Sequence, residues 1–140
     1  MQPNIVQYIE NYETKTHLFI IMELIAYGDL TNWTGAGTAM PEYMCTHVAF
    51  QILQALDYLH KCGITHRDIK PDNILMASDY PYVFKLSDFG LSKMVTSDET
   101  FLTTFCGTLL YCAPEVYPDY PRVKSGLPPV TKRTRATDGR

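Results

Sequence analysis

The sequence predicts an α+β fold that contains short strands and one long helix. Two runs rich in β-branched and aromatic residues, 5–12 and 17–22, flank a polar turn and are expected to pair as antiparallel strands. Apolar residues recur every three or four positions over 44–59, which is typical of an amphipathic helix. Two more short strands, 74–77 and 83–86, are predicted around a second polar turn.

The predicted helix over 44–59 has recognisable start and stop signals. Pro41 suits the first turn of a helix, because its missing N–H would have no partner there in any case. Gly63 follows the last apolar position and favours an end to the helix. We expect this helix to form the core of the larger part of the molecule.

The composition is that of an ordinary globular protein. The chain has 140 residues, 46% of them hydrophobic, and a net charge of −3, which gives no basic surface for nucleic acid. The longest apolar run, 18–22, is far shorter than the roughly 20 residues that span a bilayer. We therefore expect neither a nucleic-acid partner nor a membrane partner.

The cysteines predict an intracellular protein. Cys45, Cys62, Cys106 and Cys112 show no C-x-x-C spacing, and the sequence has no secretory signal. They are interpreted as free thiols in a reducing compartment, the cytoplasm or the nucleus.

One stretch concentrates the polar chemistry of the chain. Residues 66–73 read H-R-D-I-K-P-D-N and bring two carboxylates, a histidine, an arginine, a lysine and an asparagine together. Two triplets follow, D-F-G at 88–90 and A-P-E at 113–115. A single triplet is weak evidence and fits a solvated loop with ordinary charge pairs, whereas three motifs in this order form a specific pattern.

With these motifs the sequence resembles the protein kinase family, whose signature is H-R-D…N, D-F-G and A-P-E in that order. The resemblance implies part of a bilobal kinase fold that uses ATP and Mg²⁺ as cofactors. By this resemblance Asp68 orients a substrate hydroxyl and accepts its proton, and Lys70 contacts the transferring phosphate. Asn73 and Asp88 provide the hard oxygen ligands for Mg²⁺. Gly90 is expected to let the backbone turn sharply beside the metal ligand.

The resemblance also implies the class of substrate. Lys70, two residues after Asp68, is typical of kinases that phosphorylate serine and threonine. Thr108 matches a threonine that contacts the catalytic aspartate and lysine in those kinases. We therefore expect a protein substrate that carries serine or threonine. The finer resemblance is to calcium/calmodulin-group kinases, and within them to fungal checkpoint kinases.

The nucleotide site is expected between residues 22 and 29 and at Leu75. By resemblance Met22 is the gatekeeper behind adenine, and backbone groups of Glu23 and Ile25 bind the adenine edge. Asp29 would reach the ribose hydroxyls, or would cap the helix that follows, or both. Leu75 would form the floor under adenine, a role that is compatible with plain core packing.

The polar segment after Asp88 resembles the activation segment of the family. Thr104 aligns with its regulatory phosphosite, with Thr103 as the alternative. A phosphate would add about two negative charges, and Arg67 is the natural partner for it. The phosphate would come from an upstream activating kinase or from autophosphorylation. The alternative is an unmodified loop.

The chain is expected to be a part of a kinase domain. Residues 1–120 would be the domain, with small-lobe strands over 1–22, the hinge over 23–29 and a large-lobe part over 30–120, and residues 121–140 would be a disordered tail. The sequence contains neither G-x-G-x-x-G nor V-A-x-K, which kinases use upstream of this region. The main hypothesis is a fragment of a working kinase. The alternative is an inactive relic that serves as a binding module or has no function.

Overall fold

The computed structural model of the chain describes residues 2–34, 39–94 and 108–116. These ranges contain both helices and strands, which confirms the predicted α+β class. In chain order the helices and strands are β1 Tyr8–Glu13, β2 Leu18–Met22, α1 Leu30–Thr34, α2 Glu42–Lys61, β3 Ile64–Thr65, β4 Ile74–Asp79, β5 Tyr82–Leu86 and β6 Lys93–Met94. Single 3₁₀ turns lie at Pro71–Asn73, Leu109–Tyr111 and Pro114–Val116.

Strands β1 and β2 form the predicted antiparallel pair, with Tyr8 opposite Met22. The predicted start of β1 was wrong, because the strand begins at Tyr8 and not at Ile5. The reason lies in the tertiary structure. Ile5 forms a parallel bridge with Leu86 of β5, so the segment before β1 pairs with a strand much later in the chain.

Helix α2 spans Glu42–Lys61 and extends past the predicted pattern at both ends. Pro41 lies immediately before its first residue, and Gly63 leaves the helix with a φ of +71°, a conformation that glycine adopts without steric cost. The buried face carries Met44, Val48, Ile52, Ala55 and Leu59. No helix in the described part of the chain is long and apolar enough to cross a membrane.

Strands β4 and β5 form the second predicted hairpin. Both strands are longer than expected, so the turn is reduced to Tyr80 and Pro81. Met76 and Phe84 lie opposite each other in the ladder and are 0% and 1% exposed. They pack in one cluster with the buried face of α2, so the hairpin and the helix share the described core.

A buried polar network ties the N-terminal segment to this core. The Asn4 side chain is buried and donates to Gln51 Oε1 at 2.8 Å and to the Phe84 carbonyl at 2.9 Å. Gln51 Oε1 also accepts from the Phe84 N–H at 2.9 Å, and Gln51 Nε2 donates to the Tyr82 carbonyl at 2.9 Å. One glutamine on α2 therefore holds both β5 and the N-terminal segment.

This network predicts the effect of Gln51→Ala. The change leaves the Phe84 N–H and the Tyr82 carbonyl without their partner, and each unsatisfied group costs about 1–3 kcal/mol. We expect the free energy of unfolding in urea to fall by at least about 2 kcal/mol and the Phe84 amide to exchange faster with solvent. Gln54→Ala, on the exposed side of the same helix, is the control and should have little effect. Equal effects of the two changes would contradict the structural role of Gln51.

Candidate active site

A cluster of three side chains forms around the Asp68 carboxylate. Asp68 is 7% exposed, and its Oδ1 accepts from the Thr108 backbone N–H at 3.0 Å and from Thr108 Oγ1 at 2.9 Å. Lys70 Nζ lies 2.9 Å from Asp68 Oδ2 and donates to Thr108 Oγ1 at 3.0 Å. The contact between Thr108 and both charged residues, expected from the resemblance, is therefore present in the structure.

Asn73 lies beside the same carboxylate. Its Nδ2 donates to the Asp68 backbone carbonyl at 2.8 Å and to Asp68 Oδ2 at 3.1 Å. The 3₁₀ turn Pro71–Asn73 and the start of β4 fix its position. The amide nitrogen bonds to Asp68, and no described residue donates to the amide oxygen, so this oxygen is available as a ligand.

Asp88 lies just beyond the end of β5, on the side of the hairpin that also carries Asn73. The two ends are joined because Ser87 donates to the Asn73 carbonyl through its N–H at 2.9 Å and through its hydroxyl at 3.1 Å. Asp88 is exposed, and its Oδ1 accepts from the Gly90 N–H at 3.1 Å. The two predicted metal ligands therefore come from adjacent backbone segments.

The backbone turns at Gly90 as expected, since the Ser92 N–H donates to the Phe89 carbonyl at 3.0 Å across it. The left-handed conformation, however, belongs to Asp88 just before this turn, with a φ of +60°, and not to the glycine. Gly90 instead provides space, since a Cβ added there would lie 3.0 Å from Asp88 Oδ1, closer than ordinary van der Waals contact. A side chain at position 90 would therefore displace the Asp88 carboxylate.

Burial and hydrogen bonding act in opposite directions on the Asp68 carboxyl. Burial raises its pKa, but hydrogen bonds from Lys70, Thr108 and Asn73 outweigh burial and leave the pKa below the ordinary aspartate value. The pKa of Lys70 is raised, chiefly by its hydrogen bond to Asp68. The carboxylate and the ammonium are therefore both charged at neutral pH.

His66 lies beside the cluster and forms hydrogen bonds with backbone groups of Ser87 and Asp68, a role that the motif alone did not predict. It is 1% exposed, its Nε2 donates to the Ser87 carbonyl at 2.9 Å, and its Nδ1 accepts from the Asp68 N–H at 3.3 Å. Burial lowers its pKa, so the ring is neutral at pH 7, in agreement with one donor and one acceptor nitrogen. The imidazole and the ring of Phe89 form a T-shaped contact at a centroid distance of 5.0 Å.

Some backbone groups in the segment after β2 have no partner among the described residues. The Glu23 N–H donates to the Gln7 carbonyl at 2.9 Å, which leaves only the carbonyl of Glu23 for a ligand. Among the described residues, none accepts from the Ile25 N–H. Met22 is 48% exposed beside them.

Asp29 is a helix cap in this structure. Its Oδ1 accepts from the N–H groups of Thr31 at 2.9 Å and Asn32 at 3.2 Å, and from the Thr31 hydroxyl. Asp29 also forms an antiparallel bridge with Leu75 on β4. The bridge brings the predicted ribose and adenine residues together, and Leu75 is the second residue of β4, which begins directly after Asn73.

Arg67 has an uncommon backbone conformation for a residue with a side chain, with a φ of +69°. Its Nε donates to the Leu91 carbonyl at 2.6 Å, so the side chain is directed toward the segment after Asp88. Strained backbone of this kind occurs often at functional sites. Thr104 and Thr103 lie outside the described residues.

Comparison with known proteins identifies the family. A family model described as Protein kinase domain matches residues 1–125. Serine/threonine-protein kinase cds1 of Schizosaccharomyces pombe is 47% identical over 114 residues, which cover 81% of this chain and 24% of that protein. Calcium/calmodulin-dependent protein kinase type 1 of Macrobrachium nipponense is 41% identical over 124 residues, 88% of this chain and 35% of that protein.

A solved structure gives the same result. The crystal structure of the Rad53 kinase domain and SCD2 matches with a TM-score of 0.60 and 40% identity, over 66% of this chain and 34% of that chain. The chain therefore spans between about a quarter and about a third of these relatives. The predicted resemblances to fungal kinases and to the calcium/calmodulin group are confirmed. The chain belongs to the protein kinase family, in its serine/threonine branch, and forms part of the kinase domain.

Proposed function

We propose that the domain to which this chain contributes transfers the γ-phosphate of ATP to serine and threonine hydroxyls of proteins. The observation that carries the proposal is the buried Asp68 carboxylate, which is held by Lys70, Thr108 and Asn73 in one cluster. Phosphoryl transfer depends mainly on positioned groups and preorganised charge, and this cluster provides both.

The contacts of Asp68 support a specific sequence of events. A carboxylate offers about four acceptor positions, and here two N–H donors, one hydroxyl and one ammonium fill them. A substrate hydroxyl therefore needs one donor to leave. Lys70 is that donor, because its side chain is flexible enough to move and its ammonium is attracted to the transferring phosphate. Asp68 then accepts a hydrogen bond from the hydroxyl, orients it for attack and takes its proton.

The residues present fit a magnesium site. Asn73 has an amide oxygen without a hydrogen-bond partner among the described residues, and Asp88 has an exposed carboxylate. Both are hard oxygen ligands, and Mg²⁺ is usually held by one or two such groups together with substrate phosphates. When bound, Mg²⁺ neutralises phosphate charge. The protein keeps the two ligands adjacent through the Ser87 contacts with the Asn73 carbonyl.

The adenosine part of ATP would bind between the segment after β2 and strand β4. The carbonyl of Glu23 and the N–H of Ile25 would bind the adenine edge, with Met22 behind the ring and Leu75 beneath it. Asp29 uses Oδ1 to cap α1, which leaves Oδ2 for the ribose hydroxyls. Capping and ribose binding are therefore compatible.

Regulation is proposed to act through Thr104. A phosphate on Thr104 would pair with Arg67, whose guanidinium has further N–H groups besides the one bound to Leu91. An upstream kinase or autophosphorylation would supply the phosphate. We propose that this occurs inside the cell, in the cytoplasm or the nucleus, where ATP and protein substrates are present.

The proposed organisation assigns residues 1–22 to the small lobe, 23–29 to the hinge, 30–120 to the large lobe and 121–140 to a tail. The alternative function is an inactive relic that binds a partner or nothing. Kinases carry two further motifs upstream of this region, G-x-G-x-x-G and V-A-x-K. The coding sequence before Met1 distinguishes the two, because in-frame copies of both motifs favour the kinase and stop codons favour the relic.

The first prediction concerns catalysis by Asp68. Residues 1–120 are grafted in place of the matching segment of the Rad53 kinase domain, to give a whole-domain chimera. In this chimera Asp68→Asn should lower kcat by about 10²-fold or more, because the proton acceptor and its charge are lost, while ATP binding changes little. Asp57→Asn, at an exposed helical position, is the control. Wild-type turnover in Asp68→Asn would remove this residue from the mechanism.

The second prediction concerns the metal. In the chimera, Asp88→Ala should weaken binding of Mg-ATP because a hard anionic ligand is lost, and it should weaken metal-free ATP binding much less. Asp79→Ala, at the exposed end of β4, is the control. Calorimetric titrations with and without Mg²⁺ measure both affinities. Equal losses under the two conditions would argue against a metal ligand at position 88.

The third prediction concerns activation. Thr104→Ala should lower the activity of the chimera, and Arg67→Ala should remove the gain that phosphorylation provides. The double variant should be no worse than either single one, since both changes break one contact. Activity before and after phosphatase treatment is the measurement, with Thr103→Ala as the alternative phosphosite. Additive losses would mean that Arg67 does not bind this phosphate.

A further inference from the structure

An ion pair joins the proposed hinge to strand β5. Lys85 Nζ lies 2.5 Å from Glu23 Oε1, between residues 62 positions apart in the sequence. The same carboxylate oxygen accepts from the Gln7 backbone N–H at 2.8 Å. Three separate segments therefore meet at one carboxylate.

The pair is shielded from solvent. The side chains of Lys85 and Glu23 are 17% and 26% exposed, whereas those of the helix-surface pair Lys61–Asp57 are 73% and 63% exposed. Burial raises the pKa of Glu23, but hydrogen bonds from Lys85 and Gln7 outweigh it and leave the pKa lowered. An exposed pair contributes little because water and salt screen it, so the shielded pair is the one that can hold the backbone.

The ion pair closes a ring of contacts. Two hydrogen bonds join Gln7 and Glu23: the Glu23 N–H donates to the Gln7 carbonyl at 2.9 Å, and the Gln7 N–H donates to the Glu23 carboxylate. The neighbour of Gln7, Val6, donates to the Leu86 carbonyl at 3.0 Å. Leu86 follows Lys85 on β5. The hinge is therefore attached to β5 through a side chain and, independently, through the N-terminal segment.

Strand β5 has two different faces at this point. Phe84 and Leu86 are buried in the core shared with α2, while Lys85 between them contacts the hinge. The core thus fixes the position of the Lys85 backbone. Since Glu23 is held by Lys85, the core indirectly fixes the hinge peptide as well.

We propose that Lys85 is a positioning residue for adenine, which acts through Glu23. The two hydrogen bonds between Gln7 and Glu23 direct the Glu23 N–H away from the ligand. The Glu23 carbonyl and the Ile25 N–H therefore remain for the adenine edge. Lys85 keeps the Glu23 side chain in the orientation that this arrangement needs. The inference rests on the proposed function, because it requires adenine at the hinge.

The test compares nucleotides with and without phosphates in the whole-domain chimera. Lys85→Met should raise the Kd for adenosine and for Mg-ATP by the same factor, about tenfold, or about 1.4 kcal/mol. The kcat at saturating Mg-ATP should not change. Lys85→Arg should retain most of the affinity, because it keeps the charge and the donors. Lys61→Met removes a lysine from the exposed pair and should have no effect.

A second set of variants isolates the pair from general destabilisation. Glu23→Gln keeps an acceptor for the Gln7 N–H but removes the charge that binds Lys85. The double variant with Lys85→Met should lose no more affinity than either single variant, since one interaction is broken in all three. In Lys85→Met the Gln7 amide should also exchange faster with solvent than in Lys61→Met.

Two results would overturn the role of Lys85 and leave the proposed function standing. One is unchanged adenosine affinity in Lys85→Met in a chimera that binds Mg-ATP. The other is a loss confined to Mg-ATP, which would mean that Lys85 acts at the phosphate end of the nucleotide and not at the hinge. A chimera that binds neither adenosine nor Mg-ATP, while the Rad53 domain itself binds both, would overturn the proposed function and this role together.

Discussion

The packing of α2 against the β4–β5 hairpin is the contact on which the rest of the structure depends. Ala55 on the helix and Phe84 on the hairpin are almost fully buried in the cluster that these elements share. The hairpin in turn carries Asn73 before its first strand and Asp88 after its second. Because close-packed cores adopt few alternative arrangements, this burial fixes the spacing of both polar residues.

Charge in the candidate site is compensated by groups that the same core positions. A nearly buried carboxylate is costly unless charges and hydrogen bonds satisfy it, and Asp68 has donors on both oxygens. The adjacent Arg67 and the more distant Asp88 both take left-handed backbone conformations, at a cost of about 1–3 kcal/mol each. A rigid core can maintain such strain, so stability and the geometry of the candidate site are linked here.

Strand β5 connects three parts of the proposed site. Its buried residues belong to the core, Lys85 contacts the hinge, and Asp88 follows its end. One short rigid element therefore positions both the hinge and the residue that precedes the proposed metal site. This arrangement is the physical basis of the proposed role for Lys85, a residue with no place in any motif.

The sequence by itself determined the local elements and the chemistry. The apolar period of α2, the β-rich runs and polar turns of the two hairpins and the stop signal at Gly63 depend on near neighbours, so they could be predicted. The order of the motifs around Asp68 and Asp88 identified the family for the same reason, since it is a linear pattern.

Only the tertiary structure decided how distant residues meet. The pairing of Ile5 with Leu86, the network around Gln51 and the ion pair between Glu23 and Lys85 join segments far apart in the chain, and no local preference encodes them. The same holds for the reason that position 90 is glycine. The left-handed conformation belongs to Asp88 and not to Gly90. The limited space beside the Asp88 carboxylate, which a side chain at position 90 would enter, exists only once the chain has folded.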